Sequence, residues 1–284
     1  MNFSQQAING LVIGSGYACV ALGWTILLGA ARLVNFAHGQ MYMLAAFICW
    51  FILTRAGVSY PVAAVASIVA MAVLGVVMQL TMNRLVMTQN LTSLMIVTLG
   101  FGYILQGSAG LLFGGAPHTM TTGLAQKQIR IGEVWFTQQD ILILVVTLVL
   151  YAVIWLLLKR TRQGSIIRSV AEDPKLAQLF GIDSRAVYVG VFVLEAVLVA
   201  ISAVLVAPRT PILTSMGFEE VITTFVVVVL GGIGNVAGAL IVGMALGVFT
   251  AFFGALVSPA YTTAAIFAVM LAFLIVRPGG LNTR

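Results

Sequence analysis

The sequence predicts an all-α protein: a polytopic transmembrane helical bundle with eight or nine spans. Of its 284 residues, 61% are hydrophobic and only 8% are charged, whereas a soluble domain carries about 25% charged residues. The mean hydropathy is +1.11. Apolar runs long enough to cross a bilayer as a helix recur along the chain. A surface with so few charges must face lipid, and the lipid bilayer is therefore the first expected partner.

The apolar runs can be placed in chain order. Six of them are uninterrupted and occupy residues 8–31, 34–54, 61–82, 91–113, 141–158 and 186–207. After Glu220 the pattern changes, because the run 221–230 is short, is interrupted by a Gly-rich break at 231–234, and resumes at 236–253. A last run covers 261–276. These runs give eight spans, or nine if the short one crosses.

Two polar loops divide this single transmembrane domain, residues 1–284, and their charges predict its orientation. The loop 158–185 holds six of the fourteen Lys and Arg residues, which in short loops mark the cytoplasmic side. The N-terminus and the loop 114–140 then lie outside. Nine crossings put ten basic residues inside and four outside, so the charge bias favours nine crossings and a cytoplasmic C-terminus. We call 158–185 the coupling loop.

The coupling loop carries the signals of a short helix. Asp173 is a good N-cap, and Pro174 suits the first helical position because its missing N–H would have no partner there. Gly181 suits the left-handed position that ends a helix. The predicted helix covers 174–180.

Three apolar residues of this helix, Leu176, Leu179 and Phe180, share one face at i, i+3, i+4 spacing. The helix could lie on the bilayer surface. Alternatively it is a docking element for a soluble partner, joined to two spans by short connections that transmit a rigid-body push.

Sites for chemistry are missing from the sequence. No G-x-x-x-x-G-K-[ST] motif for nucleotide phosphates occurs. His38 and His118 are the only histidines, and neither has a Cys or a carboxylate at metal-ligand spacing. We therefore predict neither a catalytic nor a metal site, and no enzymatic activity. The basic residues sit in short loops and not along one face, so nucleic acid is not an expected partner.

Polar and glycine residues within the spans are the candidates for a substrate path. Glu195 either lines that path or is protonated and hydrogen-bonded within the bundle. Asn35 and His38 either cap a helix end and pack against a neighbour or form an inner gate. The glycine break contributes a further set of candidates: Gly231, Gly232, Gly234 and Asn235. Other glycines, with GxxxG spacing at Gly10/Gly14 and Gly243/Gly247, are predicted to serve helix packing.

Three stretches, 33–43, 169–182 and 228–239, together point to a known family. In this order they resemble the branched-chain amino-acid ABC-transporter permeases of the LivH/LivM type, over nearly the whole chain. The C-terminal stretch 277–281 is most similar to the LivH side. The resemblance implies a bacterial or archaeal inner (plasma) membrane location.

The resemblance also implies partners. A second, LivM-like permease would complete the translocation path, and two cytoplasmic ATPase subunits would bind ATP and Mg, so that this chain itself needs no cofactor. A periplasmic or lipid-anchored substrate-binding protein would deliver the solute. The family's coupling region matches 172–181, which favours docking over the surface-helix alternative. The implied coupling residues are Glu172, Asp173, Pro174, Leu176, Leu179, Phe180 and Gly181.

Glu195 departs from the small residue that the resemblance leads us to expect there. Relatives of the family also carry urea, short amides and small organic acids, and a carboxylate would suit an amide or ammonium group. Two alternatives from other classes stay open. The chain could be a self-contained secondary transporter that uses Glu195 as an ion or proton site, or a channel for small solutes.

Overall fold

A computed structural model describes residues 2–87, 90–277 and 279–281. The helices and strands within these ranges are α1 (Phe3–Ala31), α2 (His38–Arg55), α3 (Tyr60–Met87), α4 (Leu91–Phe113), α5 (Gly123–Gln126), β1 (Gln128–Ile131), β2 (Val134–Thr137), α6 (Gln138–Arg160), α7 (Arg162–Glu172), α8 (Pro174–Leu179), α9 (Ser184–Val206), α10 (Met216–Gly231), α11 (Val236–Leu256) and α12 (Thr262–Val276). A 3-10 turn, Pro259–Tyr261, precedes α12. The strands form one small antiparallel hairpin within the loop 114–140.

The predicted helical membrane bundle is confirmed. Seven of the described helices are long and apolar enough to cross a membrane; they are α1, α3, α4, α6, α9, α11 and the last one, counted together with its 3-10 turn. The remaining apolar runs form α2, with 18 residues, and α10, with 16.

The run 34–54 becomes helical later than predicted. Arg32 ends α1 in the left-handed conformation, with a φ of 54°, and α2 does not begin until His38. The link 32–37 between the two helices is therefore irregular. Within it the Asn35 side chain binds the backbone, since its Oδ1 accepts a hydrogen bond from Ala37 N at 3.0 Å.

α10 runs from one end of the bundle to the other. Just before it, Ile212 N donates to the carbonyl oxygen of His118, in the loop 114–140, at 2.7 Å. Just after it, Gly234 lies so close to the end of α1 that a Cβ on Gly29 would stand 2.7 Å from Gly234 Cα. The short run thus connects the two ends of the bundle, although it is not among the seven helices that are long enough to count as spans by themselves.

α1 occupies the centre of the bundle, and 83% of its most apolar 18-residue stretch is buried. It packs most extensively against α11, and the two GxxxG motifs meet there. A Cβ on Gly14 would lie 2.7 Å from Met244 Cα, and one on Gly243 would lie 2.8 Å from Ala18 Cα. The helix-packing prediction for these glycines is confirmed, because only a hydrogen atom fits between the two backbones.

The outer helices present apolar faces to their surroundings. On α3 a stripe of exposed valines repeats at helical spacing: Val62, Val65, Val69, Val73 and Val77. In the last helix only 11% of the corresponding 18-residue stretch is buried, compared with 22% in α4 and in α6. Such faces are stable in lipid and would be costly in water.

Candidate functional site

Three of the predicted path residues meet at the centre of the bundle. Glu195 projects from α9, and Asn35 and His38 come from the link and the first turn of α2; all three are at most 1% exposed. Asn35 Nδ2 lies 3.1 Å from Glu195 Oε1 and 3.2 Å from Oε2. His38 Nδ1 lies 2.9 Å from Oε1. We call Asn35, His38 and Glu195 the central cluster.

The central cluster carries no uncompensated charge. His38 Nε2 lies 3.2 Å from the Val20 carbonyl oxygen, which can only accept, so Nε2 bears a hydrogen. Nδ1 and Glu195 Oε1 then share one further proton. The pair is either imidazolium and carboxylate or imidazole and carboxylic acid, and its total charge is zero in both forms.

Neighbouring residues fix the positions of these side chains. The Trp24 ring stacks on the His38 ring, with centroids 5.6 Å apart and an interplanar angle of 12°. Gly23 lets Glu195 and His38 pack closely against α1. A Cβ at this position would crowd both residues, since it would lie 3.2 Å from the Glu195 carbonyl oxygen and 3.4 Å from His38 Cε1. Of the two alternatives for Glu195, hydrogen bonding within the bundle describes this structure. That the cluster also lines the path stays a prediction.

The glycine break lies apart from the central cluster, at the end of the bundle that carries the coupling loop. Gly232 and Gly234 have φ values of 89° and 76°, which only glycine adopts without strain. The Asn235 side chain caps α11 by accepting from Gly238 N at 3.1 Å. Gly231 packs closely on the first turn of α11. The helical run is interrupted here as predicted, and the interruption is a tight turn that reverses the chain.

Three further buried polar groups were missed by sequence reasoning. Gln40 is 1% exposed, and neither polar atom of its amide finds a hydrogen-bond partner among the described residues; the same holds for Trp24 Nε1 and Thr224 Oγ1. Gln40 is wedged against α10, where a Cβ on Gly217 would lie 2.6 Å from Oε1. Buried polar groups without partners are costly, so these groups are candidates for contact with water or solute. Only Gln40 had a sequence signal, its place beside His38.

The coupling loop folds into α7 and α8, and α8 ends one residue earlier than predicted. Asp173 Oδ1 accepts from Lys175 N at 2.8 Å and from Leu176 N at 3.0 Å. These backbone hydrogen bonds lower the pKa of the Asp173 carboxyl below its ordinary value. Gly181 takes a φ of 78°, which closes the helix. The predicted caps are therefore both present.

The apolar face of α8 points away from the protein. Leu176, Leu179 and Phe180 are 53%, 83% and 78% exposed, whereas Ala177 between them is buried against the rest of the loop. Glu172, at the end of α7, is exposed as well. No other described part of the chain covers this face.

α8 is joined closely to α9, the helix that carries Glu195. Ser184 Oγ donates to the Pro174 carbonyl oxygen at 3.0 Å. Asp183 Oδ1 caps α9 by accepting from Arg185 N at 2.9 Å and from Ala186 N at 3.3 Å. The connection is short and hydrogen-bonded at both ends, so a displacement of α8 would move the start of α9.

Comparison with known proteins places the chain among transport permeases. Residues 6–274 match the family described as "Branched-chain amino acid transport system / permease component". The high-affinity branched-chain amino acid transport system permease protein BraD of Pseudomonas aeruginosa is 31% identical over 297 residues, which cover 100% of this chain and 96% of that protein. LivH of Escherichia coli, which carries the same description, is 30% identical over 296 residues, covering 99% of this chain and 96% of LivH.

Among solved structures, the chain resembles one in "PsaBC from Streptococcus pneumoniae in complex with Fab". The TM-score is 0.52 at 12% sequence identity, and the match covers 98% of this chain and 93% of the other. At this identity the likeness concerns the fold alone.

Proposed function

Since the chain belongs to the family of branched-chain amino acid transport permease components, we propose that it is the transmembrane permease subunit of an ABC importer. In this proposal it forms the translocation path with a second, LivM-like permease. Two ATPase subunits drive it from the cytoplasm, where they bind ATP and Mg, and a substrate-binding protein delivers the solute from outside. The N-terminus lies outside and the coupling loop and C-terminus inside.

The observation that carries the proposal is the exposed apolar face of α8. Leu179 and Phe180 are each more than three-quarters exposed, on a helix that both caps hold in a defined position. Exposed apolar patches ringed by polar residues mark interaction sites. A soluble ATPase that covered this face would bury it and gain a rigid contact with the transmembrane bundle.

The path of the mechanical signal follows from the connections of α8. A push on α8 reaches α9 through Ser184 and Asp183, and α9 is tied to the link 32–37 and to α2 by the central cluster. Closure of the ATPases would therefore move α9 and α2 together against α1. In this way the bundle would alternate between outward-facing and inward-facing states.

For the solute we propose a branched-chain amino acid or a related small polar solute such as urea, an amide or a small organic acid. Both oxygens of Glu195 already have hydrogen-bond partners in Asn35 and His38, so in the described conformation this carboxylate is less available to an ammonium group than an unpartnered polar group is. The unpartnered Gln40 amide offers both a donor and an acceptor to a solute.

The proposal is tested by uptake in proteoliposomes that contain the permeases, the ATPases and the binding protein. Leu179→Asp puts a charge on the docking face and should lower ATP-driven uptake by about tenfold or more, as loss of an interface hot spot does. Gln178→Asp is the matched control, because it adds the same charge to an exposed neighbour outside the apolar face. Equal uptake by the wild type and Leu179→Asp would contradict the proposal.

The same vesicles separate the proposal from self-contained transport through the Glu195–His38 pair. Uptake should require ATP and persist when the proton gradient is collapsed. Uptake that stops with the gradient but proceeds without ATP would instead support a secondary transporter.

A further inference from the structure

A pocket with a volume of about 480 Å³ opens at the coupling-loop end of the bundle, among the ends of α1 and α6, α7, and the turn between α10 and α11. Of the residues that the structure describes, Arg32, Lys159 and Arg168 line it, and no carboxylate does. The ion pairs formed among the described residues include none of these three cations. We call this the basic pocket.

The electrostatic sign of the basic pocket is positive. The ends of α1 and α6 bring backbone carbonyls toward it, and each helix end is worth about half a negative charge. The start of α11, at Val236, contributes about half a positive charge. Three full positive charges exceed these partial charges, so the pocket attracts an anion.

The mouth of the basic pocket has the composition of a membrane–water interface. Lys159 Nζ lies 5.7 Å from the centre of the Trp155 ring, and Trp155 is 43% exposed on the outward side of α6. Ile233, across the mouth, is 62% exposed. A Trp paired with a Lys at the end of a span is typical of the headgroup level of the bilayer. The pocket therefore offers cations to a headgroup and apolar surface to an acyl chain.

From this arrangement we propose that the basic pocket binds the phosphate of an anionic phospholipid. The planar guanidinium groups of Arg32 and Arg168 suit phosphate oxygens, and Lys159 adds a point charge held in place by Trp155. Basic pockets between transmembrane helices recognise anionic headgroups in this way. The bound lipid would bridge α1, α6, α7 and the α10–α11 turn, and so hold the coupling loop against the bundle.

Native mass spectrometry of the purified full chain, extracted from nanodiscs, measures this binding directly. The nanodiscs contain phosphatidylcholine mixed with phosphatidylglycerol. The wild type should retain phosphatidylglycerol in preference to phosphatidylcholine. Arg168→Gln and Lys159→Gln should each weaken retention by about fivefold, the contribution expected of one cation near an anionic lipid. Arg168→Lys keeps the charge but loses the planar guanidinium, and it should weaken retention less than Arg168→Gln does, an order that misfolding alone would not produce.

Arg160→Gln is the matched control, since Arg160 is exposed beside Lys159 and does not line the pocket. An equal loss of lipid in Arg160→Gln and Lys159→Gln would overturn the proposal in favour of general surface charge. Equal retention of phosphatidylcholine would overturn the preference for an anionic lipid. Displacement of the lipid by soluble glycerol phosphate at comparable concentration would assign the pocket to a free phosphate compound. If Arg168→Gln and Lys159→Gln instead lost ATPase binding and retained lipid as the wild type does, the basic pocket would be assigned to the ATPase.

Discussion

Removal of the Glu195 carboxylate should destabilise the bundle far more than its conversion to an amide. Glu195→Ala leaves His38 Nδ1 and Asn35 Nδ2 without their partner, and both groups are at most 1% exposed. Each buried unsatisfied group costs about 1–3 kcal/mol, which gives about 2–6 kcal/mol for the two. Hydrogen bonds within membranes average only about 0.6 kcal/mol because the groups find other partners. We therefore expect a cost in the lower part of that range, about 2–4 kcal/mol.

Glu195→Gln should cost less than about 1 kcal/mol. The amide oxygen can accept from Asn35, and the amide nitrogen can donate to Nδ1 of a neutral His38 that keeps its hydrogen on Nε2. The central cluster then stays fully paired, with no net charge, as in the wild type.

The assay is unfolding of the purified chain in mixed micelles, followed by the fluorescence of its four tryptophans, of which Trp24 stacks on His38. A double-mutant cycle with His38→Ala isolates the pair, and we expect a coupling energy of about 1–1.7 kcal/mol, the upper part of the range measured between transmembrane helices. The reasoning is refuted if Glu195→Gln costs as much as Glu195→Ala, or if the coupling is below about 0.5 kcal/mol.

Two further predictions concern helix packing and the α8 cap. Gly14→Ala should destabilise the chain by about 1–3 kcal/mol, because its Cβ would stand 2.7 Å from Met244 Cα; Gly107→Ala, where nothing lies within 4 Å, is the control, and equal melting temperatures would contradict the packing account. For Asp173, whose pKa is lowered by folding, the cap should hold at neutral pH and be lost as the pH falls below the ordinary value of 3.8. Smaller amide protection factors in α8, each taken relative to the intrinsic exchange rate at the same pH, should accompany this loss, and Asp173→Asn should abolish their pH dependence; protection factors that are insensitive to both changes would count against the cap.

Much of the fold could be predicted because its signals are local. Apolar runs define most spans within a few residues, and Asp173, Pro174 and Gly181 define α8 through hydrogen bonds to adjacent backbone groups. The GxxxG glycines indicated close helix approach, although the pattern alone did not tell which helices meet.

The central cluster could be predicted only as separate residues. Asn35 and Glu195 are 160 positions apart, and no local pattern indicates that the link 32–37 and α9 bring them together. The irregular link 32–37 could not be recognised from the sequence, because its composition is mostly apolar and does not differ from that of the helix that follows. The orphaned Gln40 amide depends on the approach of α10 at Gly217, a tertiary contact with no signature in the sequence.

The central claim, that α8 is where an ATPase engages this permease, is tested most directly by site-specific photo-crosslinking. A photoreactive amino acid at Leu179, which is 83% exposed, is compared in the assembled transporter with one at Leu111, which is 90% exposed at the opposite end of the bundle. The account predicts a crosslink to the ATP-binding subunit from position 179 and no crosslink to that subunit from position 111. Crosslinks from position 179 to lipid alone would contradict it.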